Sequence, residues 1–218
     1  LFITWLQWSS SIKAEMSTFA LYAFGLPVLT LGVGALLCLA TVALKWFLLG
    51  RMKAGQHALW SCWCSRWDFL YVAWAQWARR AVSALEGTPL INHWLRLMGC
   101  RIGRRVFLPE GFAQVVDPDM LHFHDESTVT SMFQAHSFED RVLKLAPVHI
   151  QKGATVRTAA VVMYGADIGS YASVAEQSVV MKHESLLPNR AYIGSPSQEA
   201  NRTHNSVSAG NIPKPSIS

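Results

Sequence analysis

The densest chemistry in this 218-residue chain lies between Gln134 and Lys144, where His136 is followed closely by Glu139, Asp140, Arg141 and Lys144. An imidazole titrates near neutrality, so His136 is suited to take a proton from an attacking amine or hydroxyl. Glu139 or Asp140 would hold its other ring nitrogen and fix the tautomer. Arg141 and Lys144 offer cations for a carboxylate or phosphate, Arg141 through a bidentate fork; alternatively they close salt bridges to Glu139 and Asp140 that shape the segment. His122 and His124 fall on one face of a strand, with Asp125 and Glu126 behind them, as a pair of metal ligands would. Asp117-Pro118-Asp119 reads as a turn rather than a carboxylate dyad, because proline between acids favours turn geometry.

These residues are set in a repeat. Ile150, Val156, Val162, Ile168, Val174, Val180 and Leu186 recur every six positions, and Ala154, Ala160, Ala166, Ala172 and Ser178 each follow an aliphatic member by four. A period of six fits neither a helix nor simple strand alternation and marks stacked coils. Three such units close one triangular turn of a left-handed parallel β-helix, with the aliphatic residues filling the prism and the small ones near its corners, where a larger side chain would overpack. Gly153 and Gly165 fall near those corners, where backbone freedom is useful. Upstream, Ile102, Leu108, Phe123 and Val129 continue the inward positions. Between Ala135 and Ile150 the phase slips by three residues, so the His136 segment leaves the wall as a loop, the place where rigid scaffolds carry function. Alternation points His149 outward, and His183, Lys182 and Arg190 lie on the far edge of the ladder, Lys182 within reach of a donor groove. Zinc carbonic anhydrases built on such prisms need a second histidine five residues after the first. Here that position is Arg141, so zinc hydration chemistry stays a lesser alternative and no metal ligands are assigned.

The N-terminal half is of another character. From Phe19 to Leu44 no charge occurs, a run long enough to span a bilayer as a helix. Ten Lys and Arg residues lie between Lys45 and Arg105, against Asp68 and Glu86 alone, and the net charge is +5. The positive-inside rule then puts the C-terminal side in the cytoplasm, near anionic lipid. Nucleic acid is excluded as a partner, since no nucleic-acid motif accompanies the basic stretch. Trp60, Trp63, Trp67, Leu70, Trp74 and Trp77 form one helical stripe that either lies at the membrane interface or packs on the prism. A short helix, Leu90 to Met98, closes at Gly99. The four cysteines Cys38, Cys62, Cys64 and Cys100 show no Cys-x-x-Cys spacing and are read as reduced thiols. The expected organisation is a flank at 1–18, a transmembrane helix at 19–50, amphipathic helices at 51–99, the β-helix at 100–196 and a disordered tail at 197–218. Because the chain begins with Leu, it is read as a piece of something longer.

Four segments carry a likeness to a known family: Leu-Glu-Gly-Thr-Pro-Leu (85–90), Leu-Arg-Leu-Met-Gly-Cys-Arg-Ile-Gly-Arg-Arg-Val (95–106), Phe-Gln-Ala-His-Ser-Phe-Glu-Asp-Arg-Val-Leu-Lys (133–144) and Ser-Val-Val-Met-Lys (178–182). Over roughly 59–196 the chain resembles the C-terminal, hexapeptide-repeat domains of poly-lysine-synthetase-like nonribosomal peptide synthetases. The resemblance implies an acyl or aminoacyl transferase that makes an amide from a phosphopantetheine-carrier thioester or acyl-CoA. It further implies His136 as catalytic, with Glu139 and Asp140 beside it; Arg141, Lys144 and Lys182 as donor contacts; and a homotrimer, or a pseudo-trimer with sister domains. Neither an adenylation nor a carrier domain is present, and one prism is seen where the synthetases have three. A noncatalytic scaffold that trimerises or docks a synthetase is the competing expectation.

Overall fold

The aliphatic ladder stacks on itself. Ile150 pairs with Ile168 and Ile168 with Leu186, while Val156 pairs with Val174 and Val162 with Val180, each 18 residues apart. Three hexads therefore make one coil, and the strands sort into three parallel faces. The first face runs through Arg101–Ile102, Leu121–Phe123, Val148–Ile150, Asp167–Ile168 and Ser185–Leu186; the second through Thr128–Val129, Thr155–Val156, Ser173–Val174 and Ala191–Ile193; the third through Met132–Gln134, Val161–Met163 and Val179–Val180. This is a computed structural model, and it describes residues 15–16, 18–19 and 21–200. Most of the expected flank and of the expected tail lies outside the described residues. Within the tail as read from composition, Gln198–Glu199 turns back and pairs antiparallel with Tyr192–Ile193.

Inside the prism the ladder residues from Ile150 to Val180 are fully buried, and so are Ala154, Ala160, Ala166 and Ser178. Every sixth residue from Gly153 to Asn189 takes a left-handed φ between +56° and +75°, which bends the chain at each corner. Only Gly153 and Gly165 meet that demand without a Cβ; at Tyr171, Gln177, His183 and Asn189 the conformation is held against its usual cost by backbone hydrogen bonds to the preceding coil, and Ala159 adopts it as well.

Two insertions interrupt the stack. Phe123 and Ile150 are partners 27 residues apart, nine more than a regular coil, and the surplus forms a hairpin of His136–Glu139 and Val142–Leu145. Asp140 and Arg141, both at positive φ, make its two-residue turn. Gly55–Ala58 adds a third antiparallel strand against Val142–Leu145. The second insertion is shorter: Ile102 and Phe123 are partners 21 residues apart, and the extra chain includes the 3-10 turn Pro118–Met120.

The helices are built onto the prism, and one hydrophobic core runs through both. Helix Cys62–Trp77 is capped by Ser61, whose hydroxyl accepts the Cys64 N–H. Its stripe separates into a centre and two ends: Trp67, Leu70 and Trp74 are buried, whereas Trp60 is 88% exposed and Trp77 38%. The centre packs on protein, and Trp74 gives its indole N–H to Ala113 O at 2.9 Å. Helix Pro89–Met98 ends at Gly99 in the left-handed C-terminal position. Among the described residues one helix, Leu21–Leu48, is long and apolar enough to cross a membrane, and 6% of its most apolar stretch is buried.

Candidate active site

His136 starts the inserted hairpin, and the residue that meets it comes from the other insertion. Asp117 stands at the head of the Pro118–Met120 turn with φ 57° and ψ 57°, a left-handed conformation that Asp tolerates better than most side chains. That geometry turns its carboxylate inward, to 0% side-chain exposure. Oδ1 accepts the indole N–H of Trp67 at 2.7 Å, and Oδ2 lies 2.6 Å from His136 Nδ1. A carboxylate can only accept, so a neutral imidazole in this position carries its proton on Nδ1, which leaves the lone pair on Nε2. Nε2 makes no hydrogen bond among the described residues, and 16% of the His136 side chain is open to solvent. Trp67 and Phe138 meet the ring edge-on at 5.3 and 5.2 Å and fix its plane. A base oriented by a buried acid, with its free nitrogen outward, is equipped to take and return a proton.

Glu139 and Asp140 do not hold His136, contrary to the expectation from sequence. His136 and Glu139 are three apart on one strand, so alternation sends them to opposite faces; Asp140 belongs to the turn. Glu139 instead accepts from Lys144 Nζ at 2.7 Å, from Lys182 Nζ and from Ser137 Oγ at 2.9 Å. Those hydrogen bonds, from Lys144 first and Lys182 next, hold its carboxyl down to about 2. Lys144 is raised in turn by the same partner. Lys144 and Lys182 are thus engaged within the fold; for Lys144 this is the shaping salt bridge offered as the alternative to donor binding. Arg141 is exposed on the turn, where its carbonyl accepts the Leu59 N–H at 2.9 Å, and its guanidinium makes no ion pair among the described residues.

His122 meets His149 on the next coil rather than His124, with Nδ1 atoms 3.2 Å apart. Burial, then the His149 and Arg101 charges, pushes His122 down to about 4, and burial lowers His149 as well. The pair lies in a cleft of about 690 Å³ with Arg96, Arg101, Asp125 and Lys152. A second cleft of about 380 Å³, with Arg51, Lys53, Asp119 and Pro147, shares Arg101 and His122 with the first. Among the described residues, no three His, Cys, Asp or Glu side chains come together as a metal set. Cys100 lines the larger cleft, and burial pushes its thiol up.

The sequence places Asp117 in a turn but not beside His136, because it is 19 residues away and on a different coil. One trace of it was available: the stacked phase also slips between Ile102 and Phe123, and a second break in the wall is a second place for function.

No protein-family model matches the chain. It is 32% identical over 181 residues to the delta-poly-L-ornithine synthetase of Acinetobacter baumannii, a match that covers 81% of this chain. The resemblance to poly-amino-acid synthetases read from the sequence is borne out by it, and the chain spans 13% of that synthetase's length. Among solved structures, a maltose O-acetyltransferase from Clostridium difficile is similar with a TM-score of 0.49 and 11% identity, over 72% of this chain and 95% of that one. A hexapeptide-repeat acetyltransferase from Vibrio cholerae is similar with a TM-score of 0.45 and 17% identity, over 77% and 90%.

Proposed function

We propose that the chain is an acyl or aminoacyl transferase unit that joins a thioester-borne acyl group to an amine, as a part or partner of a poly-amino-acid synthetase. The observation that carries this reading is the Asp117–His136 pair at 2.6 Å, on an inserted hairpin with Nε2 unbonded. Likeness to the synthetase supports it. Nε2 takes the proton of the amine as nitrogen attacks the thioester carbonyl, and the C–N bond forms. Collapse of the tetrahedral intermediate breaks C–S, and the sulfur leaves with the proton returned from the imidazolium. Asp117 stays ionised and stabilises the imidazolium between the two transfers.

The donor is a phosphopantetheine-carrier thioester or acyl-CoA. Arg141 is free to meet its phosphate, whereas Lys144 and Lys182 would first have to leave Glu139. A neighbouring prism, from a second copy in a homotrimer or from a sister domain in a pseudo-trimer, would complete a groove over the 16% of His136 that this chain leaves open. The Leu21–Leu48 helix anchors the unit in a bilayer, with lipid as partner and the basic stretch holding the prism on the cytoplasmic side.

The test is amide formation by the full chain in detergent, supplied with an aminoacyl carrier or acyl-CoA and an amine. Turnover above the uncatalysed rate supports the transferase. A noncatalytic scaffold is the second reading, and one observation favours it: Glu139 ties the hairpin to Lys144 within it and to Lys182 of the prism, and neither of the two clefts is lined by His136. Absence of turnover with every donor class, together with a stable trimer, would establish that reading instead.

A further inference from the structure

We infer that Lys45, on the apolar helix, is a positioning residue for the His136 site, acting through Asp119 on the turn that aims Asp117. The inference rests on the acid–base reading of His136. Lys45 is fully buried although it belongs to the helix Leu26–Leu48, and its Nζ lies 2.7 Å from Asp119 Oδ2, whose side chain is 1% exposed. Trp46 covers the ammonium, with Lys45 Nζ 3.7 Å from its ring centroid, and is itself tied by its indole N–H to Leu97 O at 2.8 Å. Asp119 Oδ2 also accepts the Met52 N–H at 3.3 Å. Gly99 closes the same space: a Cβ there would collide with the Asp119 carboxylate, so the end of helix Pro89–Met98 can approach this pair only as glycine.

The two acids of the turn are therefore each held by a different helix. Asp117 is held by Trp67 of the Cys62–Trp77 helix, Asp119 by Lys45, and the Met120 N–H closes the turn on Asp117 O at 2.9 Å. Asp117 keeps a left-handed backbone that relaxes unless its surroundings over-determine it. Asp119 Oδ1 is buried without a hydrogen bond, so this charge pair is not optimised for stability alone. With the ammonium removed, the buried carboxylate would draw in water or a proton, and the turn would move. Asp117 lies two residues away, and a displacement of about 1 Å at a catalytic pair can cost roughly 10²-fold in rate.

The test uses the full chain in detergent, with amide formation and the ¹⁵N spectrum of His136 as readouts. Lys45→Met should lower kcat ten- to hundredfold with KM unchanged, and it should turn the single Nδ1–H tautomer of His136 into a mixture. Lys45→Arg should restore part of both. Because an unpaired buried carboxylate can prevent folding, Lys45→Met with Asp119→Leu serves as the apolar replacement, and it should fold while still losing kcat and the single tautomer. Folded Lys45 variants with wild-type kcat and one tautomer would overturn the inference. His136→Ala separates the two ideas: if that variant keeps its turnover, the acid–base reading itself fails. If it loses turnover while Lys45→Met keeps it, only the role of Lys45 fails.

Discussion

Asp117 serves two donors at once, Trp67 through Oδ1 and His136 through Oδ2. Asp117→Asn would keep an acceptor for the indole while presenting an amide donor to Nδ1, which forces the proton to Nε2. Turnover should then fall roughly 10²- to 10⁴-fold, with thermal stability little changed, in parallel amide-formation and melting assays. Glu139 illustrates a different job for a carboxylate of the same segment. Its pKa is depressed to about 2, so it contributes stability that is present above the ordinary carboxylate range and is lost as pH falls from about 4.5 toward 2. Protection of the hairpin amides from hydrogen exchange, taken relative to the intrinsic rate at each pH, should fall across that window, and Glu139→Gln should flatten the dependence. His136 could be named from sequence because residue type and a nearby break in the repeat coincide. Its partner was legible only as part of a turn beside a second break in the repeat, since the pattern does not say which residues of two insertions meet. The nearby acids were misleading for a simple reason: proximity along a strand is not proximity on a face.

At the scale of the element, the hexad dictates both what fills the prism and where the chain bends. Ala166 is fully buried beside the ladder, so Ala166→Leu should cost about 1–3 kcal/mol by overpacking, read as a lower midpoint in denaturant. His122 gives the first face a pH dependence of its own. Its pKa is lowered to about 4 from 6.5, so the stability it contributes is full above 6.5 and is lost as pH falls toward 4. His122→Gln should reduce the slope of stability against pH between those values. The coils were legible because their side-chain period is their structural period. The size of the insertion was not, because counting phase in sixes returns a remainder of three from a surplus of nine and hides the hexad's worth of chain that makes the hairpin. The tryptophan stripe was legible as a stripe, but its destination was set by prism residues such as Ala113 and Asp117, which a helical pattern does not contain.

For the molecule as a whole, prism, helices and the apolar helix converge on the turn that holds Asp117 and Asp119. Leu21–Leu48 leaves most of its apolar surface uncovered. On the membrane-anchored reading, the expressed chain should sediment with membranes and resist alkaline extraction, and recovery as a monodisperse protein without detergent would contradict the anchor. The most direct measurement of the central claim, that a hexapeptide prism presents an Asp117-oriented His136 as the base of acyl transfer, is the rate of amide formation from a thioester by wild type and His136→Ala at matched fold, checked by circular dichroism. The account predicts loss of turnover to the uncatalysed rate in the variant. An alanine variant that folds and transfers at the wild-type rate would contradict it.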